Sequence, residues 1–238
     1  MGSAMKILKG LILILLLNTT STHAQYTSPI AAGVDVGTGI GSNSWAPSIM
    51  YHEELGPQRL PWLRLGLGFR AWGYYGGRDN LSTERIAGVK DYLEYRDVSV
   101  NGISFLAGVS VSFWKLDFGV NTDLLGFTYG SKRHGYYEKP IPDPDGTGKP
   151  HYDQWLAGKP TMFNALPLAL RRNTGQSEAF VRFRAGRKVG VKLGYTYGRL
   201  TYTTKKIDGF NVYLDNSQRH VSKTYGLPYV ALAFALED

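Results

Sequence analysis

His220 and Ser222 stand two residues apart, so on an extended chain both side chains fall on one face. A histidine that takes the proton of a neighbouring hydroxyl is the heart of an activated serine nucleophile. Spacing assigns no acidic third member, and Lys223 follows directly, so the pair is a weak catalytic candidate and the chain is read as non-enzymatic. A second set of chemically capable residues is larger. Arg64, Arg70, Arg182, Arg184 and Lys192, with Asp35, Asp117, Asp123 and Glu178, recur at alternate positions within otherwise apolar or glycine-rich runs. Gathered on one side, they would form either a charged conduction path or a salt-bridged plug. Asp143-Pro144-Asp145-Gly146-Thr147-Gly148 lacks the full acidic spacing of a calcium loop and reads as a turn. Gly33, Gly37, Gly39 and Gly41 follow strand parity, with no helix after them to make a phosphate loop. No metal and no cofactor is expected. The absence of cysteine excludes thiolate metal sites, disulfides and a cysteine nucleophile.

The elements that must carry these residues alternate with a period of two. Leu63, Leu65, Leu67, Phe69 and Ala71 alternate with Arg64, Gly66, Gly68 and Arg70. The same rhythm runs through 102–113, 116–123, 189–198 and 229–236, which predicts strands. Their second face is Gly, Ala and Ser with isolated charges of both signs, not the Lys, Glu and Thr of a water-facing sheet. Small residues and paired charges suit the inside of a narrow closed barrel, and the apolar set then meets lipid.

Eight strands are expected, at 29–41, 46–55, 62–75, 99–113, 115–128, 177–185, 189–203 and 221–236. The facing of the second is not assignable from its sequence. Short connections (56–61, 114–115, 186–188) alternate with mostly longer ones, as in barrels with short periplasmic turns and longer extracellular loops. Trp62 and Trp114 lie by the short turns and Trp45 and Trp72 by the opposite end, as two interfacial aromatic girdles would require.

Residues 1–24 read as a signal peptide. Lys6 and Lys9 precede the apolar run Leu11–Leu17, and a polar stretch ends at Thr22-His23-Ala24. That run is shorter than the ~20 apolar residues of a spanning helix. Residues 25–238 would then form one barrel domain. The formal charge of +8, from 27 basic and 19 acidic side chains, first suggests nucleic acid or anionic lipid. Export removes nucleic acid and leaves the lipid. Only 19% of residues are charged, against ~25% in soluble domains, while Gly (29) and Tyr (16) are abundant, as barrel lumens and rims require.

On these patterns the chain resembles the small eight-stranded bacterial outer-membrane β-barrel proteins, the group that includes OmpA-like and OmpW-like barrels. Leu116-Asp117-Phe118-Gly119-Val120-Asn121-Thr122-Asp123-Leu124-Leu125-Gly126-Phe127 is similar to the Bacteroidota versions. The resemblance implies an all-β fold, a closed antiparallel eight-stranded transmembrane barrel, in the outer membrane. His220-Val221-Ser222 is also similar to the His-x-Ser-Asn motif of outer-membrane lipid A deacylases, with Lys223 where that family has Asn.

Specificity is expected in the longest connection, 129–176. It holds seven basic residues (Lys132, Arg133, Lys139, Lys149, Lys159, Arg171, Arg172) against four acidic ones (Glu138, Asp143, Asp145, Asp153), interleaved with Tyr136, Tyr137, Tyr152, Trp155 and Phe163. Loops this long are functional or disordered. Basic side chains suit lipopolysaccharide phosphates, and aromatics with Arg suit a protein interface. Lys132, Arg133, Tyr136, Tyr137, Trp155, Arg171 and Arg172 are the candidate partner-binding residues. The expected function is that of a non-enzymatic outer-membrane barrel. Its loops would bind lipopolysaccharide or a partner, as an accessory subunit of a larger envelope complex. The alternatives are an outer-leaflet lipid A acyl hydrolase and a small-solute channel.

Overall fold

The computed structural model describes residues 30–57, 59–86, 88, 90–139, 155–207, 209, 211–215 and 217–236. The expected signal peptide and the Asp143–Gly148 turn lie outside them. Thirteen strands follow in chain order: β1 (Ile30–Ile40), β2 (Ser44–Leu55), β3 (Leu63–Gly76), β4 (Asp79–Ser82), β5 (Tyr92–Tyr95), β6 (Val98–Phe113), β7 (Leu116–Tyr129), β8 (Arg133–Tyr136), β9 (Trp155–Pro160), β10 (Phe163–Ala165), β11 (Gly175–Arg184), β12 (Val189–Thr204) and β13 (His220–Ala235).

The expected count of eight is therefore corrected to thirteen. The eight long strands lie within two residues of the expected positions. The other five fall in connections read as loops, because three to six residues are too few to show a period. Pairing of the long strands is antiparallel throughout and runs β1–β2–β3–β6–β7–β11–β12–β13. It then returns from β13 to β1 through Gly33↔Ala235 to Gly39↔Tyr229. No strand of this ring keeps an open edge, which removes the usual template for edge-to-edge association.

The ring is inside-out relative to a water-soluble protein. Phe69, Leu125 and Leu193 point outward and are 58%, 58% and 59% exposed, while Asp35 and Lys192 point inward and are 1% and 0% exposed. The faces of β2 are settled: Ser48, Met50, His52 and Glu54 are inward, and Ile49, Tyr51 and Leu55 outward. On β7 the parity changes midway. Leu106 pairs with Asp123 and Phe105 with Leu125, so Leu124 is an extra, bulged residue. Phe118 and Val120 before it and Leu125, Phe127 and Tyr129 after it consequently share the outer face.

The principal apolar core lies at the loop end, not in the ring. There β12 pairs with β9, β9 with β8, β8 with β5, β5 with β4, and β4 with β13. With the β12–β13 ladder this makes a second, smaller circuit standing on the ring. Leu81, Leu93, Tyr95, Leu156, Leu200, Tyr202, Leu214 and Val221 fill it and are almost wholly buried. Long β12 and β13 strands of 16 residues each serve both circuits. No helix among the described residues is long and apolar enough to cross a membrane.

Candidate functional site

Closure of the ring brings the inward charges together. Lys192 Nζ on β12 donates to Asp35 Oδ2 on β1 at 2.9 Å and lies 2.5 Å from Glu178 Oε1 on β11. Its ammonium also sits over the Phe180 ring, 4.1 Å from the centroid, a favourable cation–π geometry. Arg182 on β11 donates from Nε to Asp117 Oδ2 at 2.9 Å and from Nη2 to both Glu54 oxygens at 3.0 and 3.1 Å. Strands β2 and β11 are opposite staves of the ring, so this pair crosses the lumen. Arg184 Nη2 lies 3.3 Å from Asp117 Oδ1 and donates to the Trp114 carbonyl. Arg70 Nη1 lies 3.6 Å from Asp123 Oδ1, and its Nη2 donates to Asn121. The Gln176 amide donates to Asp123 Oδ2 at 3.0 Å, and Tyr225 donates to Gln176 Oε1 at 3.0 Å.

All nine expected lumen charges, Arg64 included, are buried and inward. Two inward groups escaped the sequence reading, Glu54 and His52. His52 lies 3.5 Å from both Asp35 Oδ1 and Glu54 Oε1. Their signal was the even parity of Ser48, Met50, His52 and Glu54, obscured by Glu53 on the outer face, where Tyr51 bonds it at 2.5 Å. With Glu54 added, five basic face five acidic side chains, a neutral network of the kind that makes buried charge tolerable. A cavity of about 30 Å³ beside Asp35, His52, Glu54 and Arg182 has room for roughly one or two waters. This is a packed lumen.

His220 and Ser222 remain on one face of β13, but they do not form a pair. His220 Nδ1 is 3.0 Å from Thr203 Oγ1. Among the described residues no hydrogen bond joins it to Ser222 and no carboxylate orients it. The neighbouring Asp79 is taken by Lys223. An activated nucleophile is not assembled. Among the described residues no cluster of His, Asp and Glu is arranged to hold a metal ion.

Of the four tryptophans expected at interfaces, Trp45, Trp62 and Trp114 are exposed. Trp72 is a correction: it is inward, 4% exposed, and donates to Ser104 Oγ at 3.0 Å. Its even position continues the inward set of Arg64 and Arg70. The candidate partner-binding residues also divide. Tyr137 is buried in the loop-end core, where its hydroxyl accepts from the Asp215 amide at 3.0 Å, so it is unavailable to a partner. Burial pushes this phenol up to about 12. Beside it, Lys139 Nζ bonds Asp91 at 2.9 Å and Asp215 at 3.2 Å, and those bonds raise its pKa. Arg133 pairs with Asp97 and donates to Ser99 Oγ at 2.7 Å. Arg171 pairs with Glu84 at 3.2 Å. Tyr136 packs 5.4 Å from Trp155, which also carries Arg96 at 5.0 Å. Lys132 and Arg172 are exposed.

Fold and interior together define an all-antiparallel β protein, closed on itself, with ion pairs inside and hydrocarbon outside. No known family's sequence profile matches the chain, and no curated protein matches it. Among solved structures, it is similar to that described as the crystal structure of Neisserial surface protein A (NspA). The TM-score is 0.33 at 9% identity, over 87% of this chain and 97% of that one. The assignment of the fold rests on the strand pairings.

Proposed function

We propose that the protein is a non-enzymatic outer-membrane β-barrel of eight transmembrane strands. Its lumen is a salt-bridged plug, and its loop end is built to contact lipopolysaccharide or a larger envelope complex. The observation that carries this is the reversed polarity of the ring. A continuous outward belt of Leu, Val, Ile, Phe and Tyr far exceeds the few hundred Å² of apolar patch a soluble monomer tolerates, while ten charges are buried inside. Only lipid on the outside makes both choices favourable. Strands of 10–16 residues meet or exceed the ~9–11 needed to cross. Short connections at the end bearing Ile30 and Ala235 would face the periplasm, and the capped end the outside. The reading keeps the chain with the OmpA-like and OmpW-like group that its Leu116–Phe127 segment resembles.

The test is migration on a detergent gel and cell fractionation. The barrel should sit in the outer-membrane fraction and run differently before and after boiling. Identical migration with a soluble fraction would refute it. Against the channel, the Arg182–Glu54 bridge across the lumen predicts no steady conductance in planar bilayers. Against the hydrolase, expression should leave lipid A acylation unchanged, with or without His220→Ala.

A further inference from the structure

The ion pairs of the loop end leave several cations aside, three of which cluster. Arg133, Lys139, Arg171 and Lys223 each have a carboxylate partner. Among the described residues, Lys132, Lys159 and Lys205 have none, and all three are exposed. The fold nevertheless forces them together. Arg133 pairs with Gly158, which sets Lys132 across from Lys159 at the next step of the β8–β9 ladder. Thr204 pairs with Gly158, and the Lys205 amide bonds the Ala157 carbonyl at 2.7 Å, which sets Lys205 against the other side of β9. Like charges on neighbouring strands destabilise a sheet. Lys159 first, and Lys132 with it, lower the Lys205 pKa, as crowded ammonium groups do. A cleft lined by Arg96, Asp97, Lys132, Arg133, His134 and Trp155 opens beside Lys132, and since Arg133 pairs with Asp97, Arg96 and Lys132 leave it a positive surplus.

Just towards the ring, the surface turns apolar. Tyr129 is three residues before Lys132, and Met162 and Phe163 are three and four residues after Lys159. All three are 59–67% exposed. The Thr128 amide bonds the Met162 carbonyl at 2.8 Å, holding these side chains on adjoining strands. A cationic cluster directly above an apolar belt matches a molecule with phosphates at one end and hydrocarbon at the other. An acidic protein would have no use for the belt.

Resting on the outer-membrane reading above, we propose that Lys132, Lys159 and Lys205 form a binding site for the phosphate groups of an outer-leaflet lipid, whose acyl chains lie against Tyr129, Met162 and Phe163. The bound phosphate supplies the counter-charge that the described residues lack there.

Native mass spectrometry of the full-length protein in detergent tests this, with phosphorylated lipid A, dephosphorylated lipid A and inorganic phosphate as probes. Phosphorylated lipid A should bind at least about tenfold more tightly than the dephosphorylated form. The Lys132→Ala/Lys159→Ala/Lys205→Ala variant should lose that preference. Equal binding of the two lipids, or an unchanged preference in the variant, would overturn the site. So would competition by inorganic phosphate at parity with lipid A, which would mean a free-anion site. Loss of a co-purifying acidic protein from the variant, with lipid binding intact, would mean a protein interface instead. Heat-modifiable migration of each sample separates the two levels: failure in the wild type condemns the barrel reading, and failure of lipid preference alone condemns only the site. Lys→Gln changes at the three positions take the place of alanine if the first variant does not fold.

Discussion

Lys192 shows what a single buried charge does in this lumen. It serves Asp35 and Glu178 together, so Lys192→Met would strand two carboxylates away from water. Breaking a buried pair by removing one partner costs about 3–5 kcal/mol. The expected outcome is a large drop in the urea midpoint in detergent, while Arg85→Ala, on an exposed loop, leaves it unchanged. A midpoint unaffected by Lys192→Met would mean that the lumen is wetter than its geometry implies. Gly37 is constrained differently. A Cβ there would stand 2.4 Å from both the Ala231 Cβ and the Val230 carbonyl, and 2.6 Å from the Tyr229 hydroxyl. Gly37→Val should therefore cost ~1–3 kcal/mol through overpacking, read by the same unfolding curve. The nine lumen charges were visible in the sequence as isolated polar residues in apolar alternation. Glu54 and His52 were not, because the outward Glu53 beside them blurs the period.

Among the strands, β7 carries the most informative irregularity. One extra residue, Leu124, lets a strand that begins with even positions outward finish with odd ones outward. Deleting Leu124 would remove the bulge and keep Asp123 inward and Leu125, Phe127 and Tyr129 outward, because Phe105 pairs with Leu125 directly after Leu106 pairs with Asp123. Deleting Gly126, which stands in regular alternation, would instead turn Phe127 and Tyr129 towards the lumen and Thr128 towards the outer face. Heat-modifiable migration should survive the first deletion and be lost in the second, and its loss on deleting Leu124 would show that the bulge itself is needed to fix the register. The doubled Leu124-Leu125 was legible as a break in alternation, but a break alone does not say which strand yields. The short strands β4, β5, β8, β9 and β10 had no legible period. The pairing of β4, β5, β8 and β9 depends on β12 and β13 extending past the ring, and that of β10 on β7.

The two circuits differ in what holds them, so they should fail separately. The ring depends on ladder hydrogen bonds and lumen ion pairs, and the loop-end circuit on an apolar core with Tyr137 and Lys139 at its margin. Both groups have folded pKa values above their unfolded ones. Their contribution is thus fully present below the unfolded values near pH ~10 and lost as pH rises above them, for Tyr137 towards about 12. Raising the pH through that window should expose loop-end amides to hydrogen exchange while the ring stays protected. Simultaneous loss in both circuits would sink the idea of two independent units.

What was legible in the chain alone is local. A period of two, the turn residues and the small or charged character of the second face follow from strand stereochemistry, which any stretch of ten residues displays. From these came the long strands, the faces of all but the second, and the inside-out polarity. Which groups meet was not legible. Arg182 and Glu54 lie 128 residues apart and find each other only because β2 and β11 end on opposite walls of a closed ring. Lys132, Lys159 and Lys205 converge only because short segments dock on the overhanging ends of β12. Closure and docking set those partners, and neither leaves a periodic trace in sequence.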